Sequence, residues 1–148
     1  MIVSLPEPPI DGVDVTYIEK MGAYHAGLVG ARDVNAERDR RVSRVPFAGH
    51  VYQCDADSLA NIDRSCTLAL SALMLEGAQA NDLRWADAEA DFVWFDVDNV
   101  AVPMDAQTML AFGKRTTEWV RDHVNAARTL KDAATIPANY TDDSHWPT

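Results

Sequence analysis

The sequence predicts an α+β fold with two main helices, one of them long, and two short β-hairpins, preceded by an extended N-terminal arm and a first helix. Three observations support this class. Residues 105–134 contain no proline and repeat apolar side chains at helical spacing. A shorter amphipathic stretch begins near Asp57. Two pairs of short apolar runs each flank residues that favour turns, which is typical of hairpins.

The stretch from Phe92 to Lys131 organises the rest of the chain. Residues 92–95 and 100–102 are aromatic or β-branched and flank the turn-forming segment 96–99, so they predict a hairpin. Pro103 lacks an amide hydrogen and is expected to end the second strand. Asp105 stands where a helix N-cap belongs.

The helix that follows is expected to contain about 30 residues and to be roughly 45 Å long. This exceeds the width of a compact domain of this size. We therefore expect either a break near Thr116 and Thr117 or, as the favoured alternative, one end that projects and packs on another chain. The predicted buried stripe consists of Met109, Phe112, Thr116, Val120, Val124 or His123, Ala127 and Leu130.

The chain divides into an arm, residues 1–24, and an α+β domain, residues 25–148. Prolines stiffen residues 5–9, and residues 13–17 alternate as a strand does. A first helix is expected from about Tyr24 to Arg44. Its apolar stripe is sparse, so a helix that faces a partner, or a swapped or coiled arm, is an alternative.

The first hairpin is predicted from the runs 45–48 and 51–54 around Gly49 and His50. Asp57 or Ser58 is expected to cap the next helix, and Gly77 to end it. The apolar face of this helix is predicted to contain Leu59, Ile62, Cys66, Ala69, Leu70 and Leu73. Two tryptophans are expected to dock: Trp85 within the acidic, alanine-rich segment 78–91, and Trp146 near the C-terminus.

Composition limits the function. The net charge is −10, which argues against a nucleic-acid-binding surface because phosphate backbones bind clustered Lys and Arg. Four arginines do cluster, and we interpret them as a solvated helix face with local ion pairs. They are Arg38, Arg40, Arg41 and Arg44. No apolar run reaches the length of a membrane span, and no signal peptide is evident. Cys54 and Cys66 are expected to be reduced, apolar packing residues, which fits synthesis in a cytoplasm.

Candidate reactive residues do not form a recognisable site. Asp55, Asp57, Asn61 and Asp63 suggest a calcium loop, but the required glycine and bidentate glutamate are replaced by Ala60 and Cys66. Helix capping is the preferred interpretation, and a turn is preferred for Asp96 and Asp98. The histidines are scattered along the chain: His25, His50, His123 and His145. A nucleophilic Cys54 would need a histidine brought to it by the fold. We therefore assign no catalytic, cofactor-binding or metal-binding residue and expect no enzyme.

The order of these features resembles a family. Arg40 and Arg41 precede a hairpin with Phe47, Gly49 and Tyr52, then Asp55, Asp57 and Ser58, and the helix that contains Asn61 and Ile62. Further on come Trp94, Asp98, Asn99, Val102, Met104, a long helix with Arg128, Leu130 and Lys131, and a terminal Trp146–Pro147 pair. Over residues 33–147 this series resembles a domain of unknown function that is common in proteins of tailed bacteriophages, often encoded among tail and tail-fibre genes. Segment 78–91 and the arm depart from the family pattern.

The resemblance implies a virion structural protein of the phage tail, as a fibre, tip or baseplate component made in the host cytoplasm. Its expected partners are other tail proteins and further copies of itself, with a trimer favoured; neither nucleic acid nor membrane insertion is expected. The first alternative is a tail-fibre assembly chaperone that is not retained in the virion. The second is a small metal-dependent hydrolase that uses Asp55, Asp57, Asp96 and Asp98.

Overall fold

The computed structural model describes residues 28–148 together with Leu5 and Tyr17. Within these residues lie three helices and two antiparallel two-stranded sheets, which confirms the α+β class. In chain order the elements are α1 (Ala31–Val42), β1 (Arg44–Phe47), β2 (His50–Gln53), α2 (Ala56–Leu75), β3 (Val93–Phe95), β4 (Ala101–Pro103), α3 (Ala106–Asp132) and a 3₁₀ turn (Asp143–His145).

Helix α3 is the element on which the others pack. The carboxylate of Asp105 accepts a hydrogen bond of 2.7 Å from the amide of Thr108, so the predicted N-cap is confirmed. The helix continues for 27 residues without a break, a length of about 40 Å. Thr116 and Thr117 lie inside it, and both hydroxyls donate to the carbonyl of Gly113.

The expected break is wrong, and so is the expected projecting end, while the packing of α3 on another chain stays a prediction. Buried side chains recur along α3 from Ala106 to Leu130, so both of its ends are covered by the same chain. Helix α2 and β1 contact α3, and α1 contacts it as well. A helix of this length need not project, because α2 and the hairpins cover its first half while α1 and the C-terminal residues cover its second half.

The first half of α3 contributes to a group of packed rings, which we call the aromatic cluster: Phe47, Tyr52, Trp94 and Phe112. Phe112 is fully buried at its centre. Its ring centroid lies 4.7 Å from that of Tyr52, 5.3 Å from that of Phe47 and 6.1 Å from that of Trp94. Aromatic pairs at these separations stabilise a core beyond the area that they bury. Both hairpins are thereby held on α3.

Helix α2 packs on the same half of α3 through Ile62, Ala69 and Ala72, which are buried. Gly113 allows this close approach, because a Cβ atom there would overlap the Sγ atom of Cys66. Two predictions for α2 are wrong. Its N-cap is Asp55, which accepts from the amide of Ser58 at 2.8 Å, because the turn begins two or three residues earlier than expected.

The second error concerns the α2 stripe. Leu70 is 47% exposed and lies outside the packed face, whose centre contains Ile62, Ala69 and Ala72. The helix has apolar residues on more than one face, so spacing alone did not identify the buried one. Its predicted end is confirmed: the helix ends at Leu75, and Gly77 follows with a φ of 73°.

Both predicted hairpins form, each from two antiparallel strands. In the first, Ala48 and Gly49 form the turn with φ angles of 49° and 83°, so the strands begin one residue earlier than expected. In the second, Pro103 is the last residue of β4, as predicted. The amide of Val97 donates to the carbonyl of Val51 at 2.9 Å, which joins the two hairpins.

Trp85 docks as expected. It is buried, packs against Phe92 with the rings tilted and their centroids 4.5 Å apart, and donates its indole hydrogen to the carbonyl of Met104 at 2.9 Å. Segment 78–91 is thereby fixed near the start of α3.

The second half of α3 packs against α1 and the C-terminal residues in what we call the tail cluster: Val34, Ala127, Leu130 and Trp146. Helix α1 begins at Ala31 rather than near Tyr24, since Gly30 has an extended backbone, and Arg44 belongs to β1. The sparse stripe of α1 is completed by residues of α3, so its buried face is turned to its own chain. The predicted docking of Trp146 is confirmed.

The predicted arm, residues 1–24, lies outside the described residues apart from Leu5 and Tyr17. Tyr17 has a helical backbone, so the strand predicted over residues 13–17 is wrong at that residue. At Tyr17, an alternation of only five residues was too short a pattern to predict the backbone, and residues 13–16 lie outside the described part of the chain.

Candidate functional site

The four residues that resembled a calcium loop do not converge. Asp55 is committed to the N-cap, and its pKa is lowered first by the hydrogen bond from the amide of Ser58. Asn61 accepts from the guanidinium of Arg64, while Asp57 and Asp63 are exposed along α2. Among the residues that the structure describes, no three His, Cys, Asp or Glu side chains are placed to hold a metal ion.

Asp96 is a buried carboxylate whose two oxygens are both held by hydrogen bonds. One oxygen accepts from the amides of Asp98 and Val100, both at 2.9 Å, and the other lies 2.8 Å from Nδ1 of His50. The hydrogen bond with His50 is the main reason that the pKa of Asp96 is lowered. Asp98 is exposed at the tip of the turn. The two carboxylates therefore form a turn and do not face one metal position.

The pairing of His50 with Asp96 is the interaction that sequence reasoning missed. The two residues are 46 positions apart and belong to different hairpins, so no local sequence pattern predicts the contact. A His–Asp pair can act in proton transfer when a nucleophile or substrate position lies next to it. Here the pair closes the junction between hairpins beside the aromatic ring of Tyr52, whose centroid lies 6.1 Å from that of His50.

The other histidines have structural contacts. His123 is buried and donates from Nδ1 to the carbonyl of Trp119 at 2.8 Å, and burial is the first cause of its lowered pKa. His145 lies 3.2 Å from the side-chain oxygen of Asn139 in the tail. His25 lies outside the described residues.

The thiols are poorly suited to nucleophilic chemistry. Burial raises the pKa of Cys54 to about 11 and also raises the pKa of Cys66. Both cysteines are free, as the sequence predicted. Because the thiolate is the reactive form, a raised pKa leaves both side chains protonated at neutral pH.

Three of the four clustered arginines form ion pairs on α1, as expected, whereas Arg44 lies on β1 and Arg41 is largely buried instead of solvated. Arg40 and Arg41 both contact Glu37, and the hydrogen bond from Arg40 is the main cause of the lowered pKa of Glu37. Arg41 also donates to the carbonyl of Thr141 at 2.7 Å and to Asp143 at 2.9 Å. Its guanidinium lies 5.4 Å from the ring centroid of Trp146, so Arg41 holds the C-terminal residues against α1.

Two of the surface depressions in the described part of the chain lie beside the hairpins and helix α2, where another molecule could dock. The first has a volume of about 320 Å³ and lies between the hairpins and the start of α2. Its lining contains aromatic, amide and hydroxyl side chains but no titratable one: Gln53, Ser58, Asn61, Val93, Trp94 and Phe95. Such a groove can hold a neutral group, but it offers no side chain for acid–base catalysis.

The second depression lies on the solvent side of α2 and has a volume of about 270 Å³. We call its lining residues the α2 outer face: Thr67, Leu70, Ser71, Met74 and Leu75. Met74 and Leu75 are 74% and 82% exposed, which is unusual for large aliphatic side chains next to each other. An exposed apolar patch of this kind is typical of a protein-binding surface.

The comparisons with known proteins bear on the whole of this domain. Among the described helices, none combines the length and the apolar character that a bilayer span requires. No curated protein and no solved structure matches the chain. One family model, described as "Domain of unknown function (DUF4376)", matches residues 30–145 and so includes all three helices and both hairpins. The chain therefore belongs to the family of this domain of unknown function, DUF4376.

Proposed function

We propose that this protein is a structural component of a bacteriophage tail that acts by protein–protein assembly. The observation that carries the proposal is the α2 outer face, a built and well-packed helix that turns Leu70, Met74 and Leu75 to solvent. An apolar surface is costly to expose, and its usual role in a folded protein is to bind another protein. The resemblance to domains encoded among phage tail genes supplies the biological setting.

The use of the polar side chains supports assembly over catalysis. Asp55 and Asp105 cap helices, Asp96 joins the hairpins, and His123 is buried against a backbone carbonyl. Each of these groups is held by a hydrogen bond that the fold itself needs. In an enzyme, by contrast, titratable groups with perturbed pKa values converge on one cleft.

The proposal includes further copies of the chain and other tail proteins as partners, with the mature protein in the virion after synthesis in the host cytoplasm. The arm, residues 1–24, remains a predicted attachment segment. Its proline-rich part favours an extended conformation, which suits a segment that is ordered on a neighbouring subunit.

The direct test is a protein census of tailed particles assembled from the genome that encodes this chain. Particles are purified by density gradient and their proteins quantified by mass spectrometry against the major tail protein. We expect this chain at a fixed copy number per particle, unchanged by a further gradient or by a high-salt wash.

The opposite outcomes are equally informative. A chain that is abundant in the lysate but missing from particles, and whose deletion leaves fibres unassembled, would contradict the proposal and indicate a tail-fibre chaperone. Calorimetric titration with magnesium, manganese and calcium, showing binding at micromolar affinity that Asp96→Asn abolishes, would instead support a metal-dependent hydrolase. A soluble host protein of similar abundance serves as the control for contamination.

A further inference from the structure

The α2 outer face lies within an uncharged stretch of the sequence. Residues 65–75 contain no charged side chain, whereas Arg64 and Glu76 stand directly at their two ends. Within this stretch four large side chains are exposed. Leu68 is 46% exposed and Leu70 47%, while Met74 and Leu75 are exposed by 74% and 82%. The chain is strongly acidic overall, so an uncharged helical surface of this length stands out.

The geometry of a helix places these residues together. At about 100° per residue, Thr67, Leu70, Ser71 and Met74 form one stripe, with Leu68 and Leu75 along its edge. Ile62, Ala69 and Ala72 point the other way, into the core of the domain. The second half of α2 is thus apolar on both sides. A helix that is apolar all round is normally buried all round.

Nothing else in the described part of the chain contributes to this depression, whose lining residues all belong to α2. The small side chains of Thr67 and Ser71 lie in the middle of the stripe, and the larger Leu70, Met74 and Leu75 stand around them. Small residues at the centre of a helix face let a second helix approach closely, while larger ones interlock at its sides.

The charges at the two ends of the uncharged stretch of α2 indicate that the partner is a second copy of the chain. Helix α2 has an acidic first turn but no basic residue in its last turn, so the negative end of its dipole carries no cation of its own. Arg64 is exposed and lies on the same side of the helix as Thr67 and Ser71. If a second α2 helix lay antiparallel across the first, each Arg64 would meet the negative, C-terminal end of the other helix, whereas Glu76 lies on the opposite side of that helix.

A two-fold axis near Leu70 and Ser71 would place the Arg64 of each copy at the C-terminal turn of the other copy's helix. Both contacts form because a two-fold interface uses the same surface patch of each copy. Parallel pairing, or a parallel three-fold bundle, would instead bring the Arg64 side chains to the same level. The charge pattern therefore fits two copies better than the trimer that the sequence led us to favour.

The apolar area exposed on this face of α2 is large enough for a stable dimer interface. Stable interfaces bury about 800 Å² per partner, of which somewhat more than half is apolar. At the exposures given above, Leu68, Leu70, Met74 and Leu75 together present apolar surface on the order of 400 Å² per copy. The side chains at the ends of the stripe supply the polar rim.

We propose that the α2 outer face is a homodimer interface in which the α2 helices of two copies pack antiparallel about a two-fold axis near Leu70 and Ser71. This inference does not depend on the proposed tail function, because the oligomeric state is measured on the isolated protein and the virion census is not.

The experiment uses the full-length chain in sedimentation-velocity and light-scattering measurements across a wide range of concentrations. We expect a monomer–dimer equilibrium. Leu70→Lys is expected to weaken dimerisation by roughly 30-fold or more, because it places a charge at the centre of the interface. The matched control is Val124→Lys, which introduces the same charge at a similarly exposed aliphatic residue of α3 and should leave the dimer unchanged. Circular dichroism verifies that both variants are folded.

Cross-linking tests the orientation. Under mild oxidation, Ser71→Cys should form a disulfide-linked dimer, because this position lies near the axis. Ala60→Cys should not, since residue 60 lies on the same stripe but roughly 16 Å further along the helix. The unmodified chain, with its native Cys54 and Cys66, gives the background.

Results of three kinds would overturn the proposal. One is a chain that stays monomeric at every concentration, as it would if residues 1–27 covered the face. Another is a dimer that Leu70→Lys leaves intact, or a trimer. The third is equal cross-linking of the two cysteine variants, which would indicate parallel helices.

Discussion

The two halves of α3 are packed by different means. The aromatic cluster surrounds Phe112 with three other rings and contains no charged side chain. The tail cluster is smaller, and it depends on Arg41, which holds Glu37, Asp143 and the backbone of Thr141 around Trp146. One half is stabilised mainly by buried area, whereas the other adds charge-assisted hydrogen bonds to a few apolar contacts.

This difference indicates how a helix longer than its domain is wide can be stable in a single chain. The first half has enough apolar surface from α2 and the hairpins to form a core of its own. The second half receives only α1 and the last residues of the chain, so polar contacts hold that thin layer in place. We expect the aromatic cluster to set global stability and the tail cluster to open more easily.

The largest effect is expected for Phe112→Ala. Removing a fully buried ring that touches three others should lower the free energy of unfolding by about 3–5 kcal/mol, through lost burial and the cavity that remains. Urea denaturation followed by circular dichroism measures it. Val124→Ala, at a 44% exposed position of the same helix, is the control and should change stability by less than about 0.5 kcal/mol. Equal losses in the two variants would show that the aromatic cluster is not the main core.

A smaller loss is expected for Trp146→Ala. It should lower the free energy of unfolding by about 2–3 kcal/mol, because the C-terminal residues can leave the surface and no closed cavity remains. Hydrogen exchange should become faster in residues 136–146 and stay unchanged in the hairpins. Arg128→Ala, which removes an exposed ion pair with Asp132 on the same helix, provides a comparison with little expected change. Faster exchange in the hairpins as well would mean that the two clusters unfold as one unit.

The sequence was sufficient for the features that depend on local chemistry. The cap at Asp105, the glycine after α2, the proline that ends β4 and both hairpins each follow from a few neighbouring residues. Boundaries were less accurate, as the start of α1 and the cap of α2 show. The amphipathic pattern of α3 was visible, but the chain elements that cover its second half were not.

Contacts between distant residues could not be predicted. The pairing of His50 with Asp96 and the role of Arg41 in holding the tail both join segments that lie far apart in the sequence. The α2 outer face was hidden for another reason. Apolar residues on every side of α2 gave no indication of which face the core would use, so Leu70 was assigned to the wrong one.

The smallest expected effect is the pH dependence of stability, which we expect to arise from His123 beside Trp146 of the tail cluster. Burial lowers the pKa of His123 below its ordinary value of about 6.5, so the unfolded chain binds this proton more readily than the folded chain. Stability should therefore fall as the pH drops below about 6.5 and level off below the folded-state pKa, with a slope of at most about 1.4 kcal/mol per pH unit. Urea unfolding at a series of pH values measures this slope.

The variant that tests this assignment is His123→Phe, which keeps an aromatic ring between Trp119 and Trp146 but cannot take up a proton. Its stability should be independent of pH in the window just below 6.5. The same slope in the variant and the wild type would assign the titration to another group.

The proposal that this protein docks within a phage tail can be checked by cryo-electron microscopy of the tailed particle. We expect density for the long α3 helix within the tail, with the α2 outer face in contact with a second copy. A complete map of an intact tail in which every subunit is assigned and this chain has no place would contradict it.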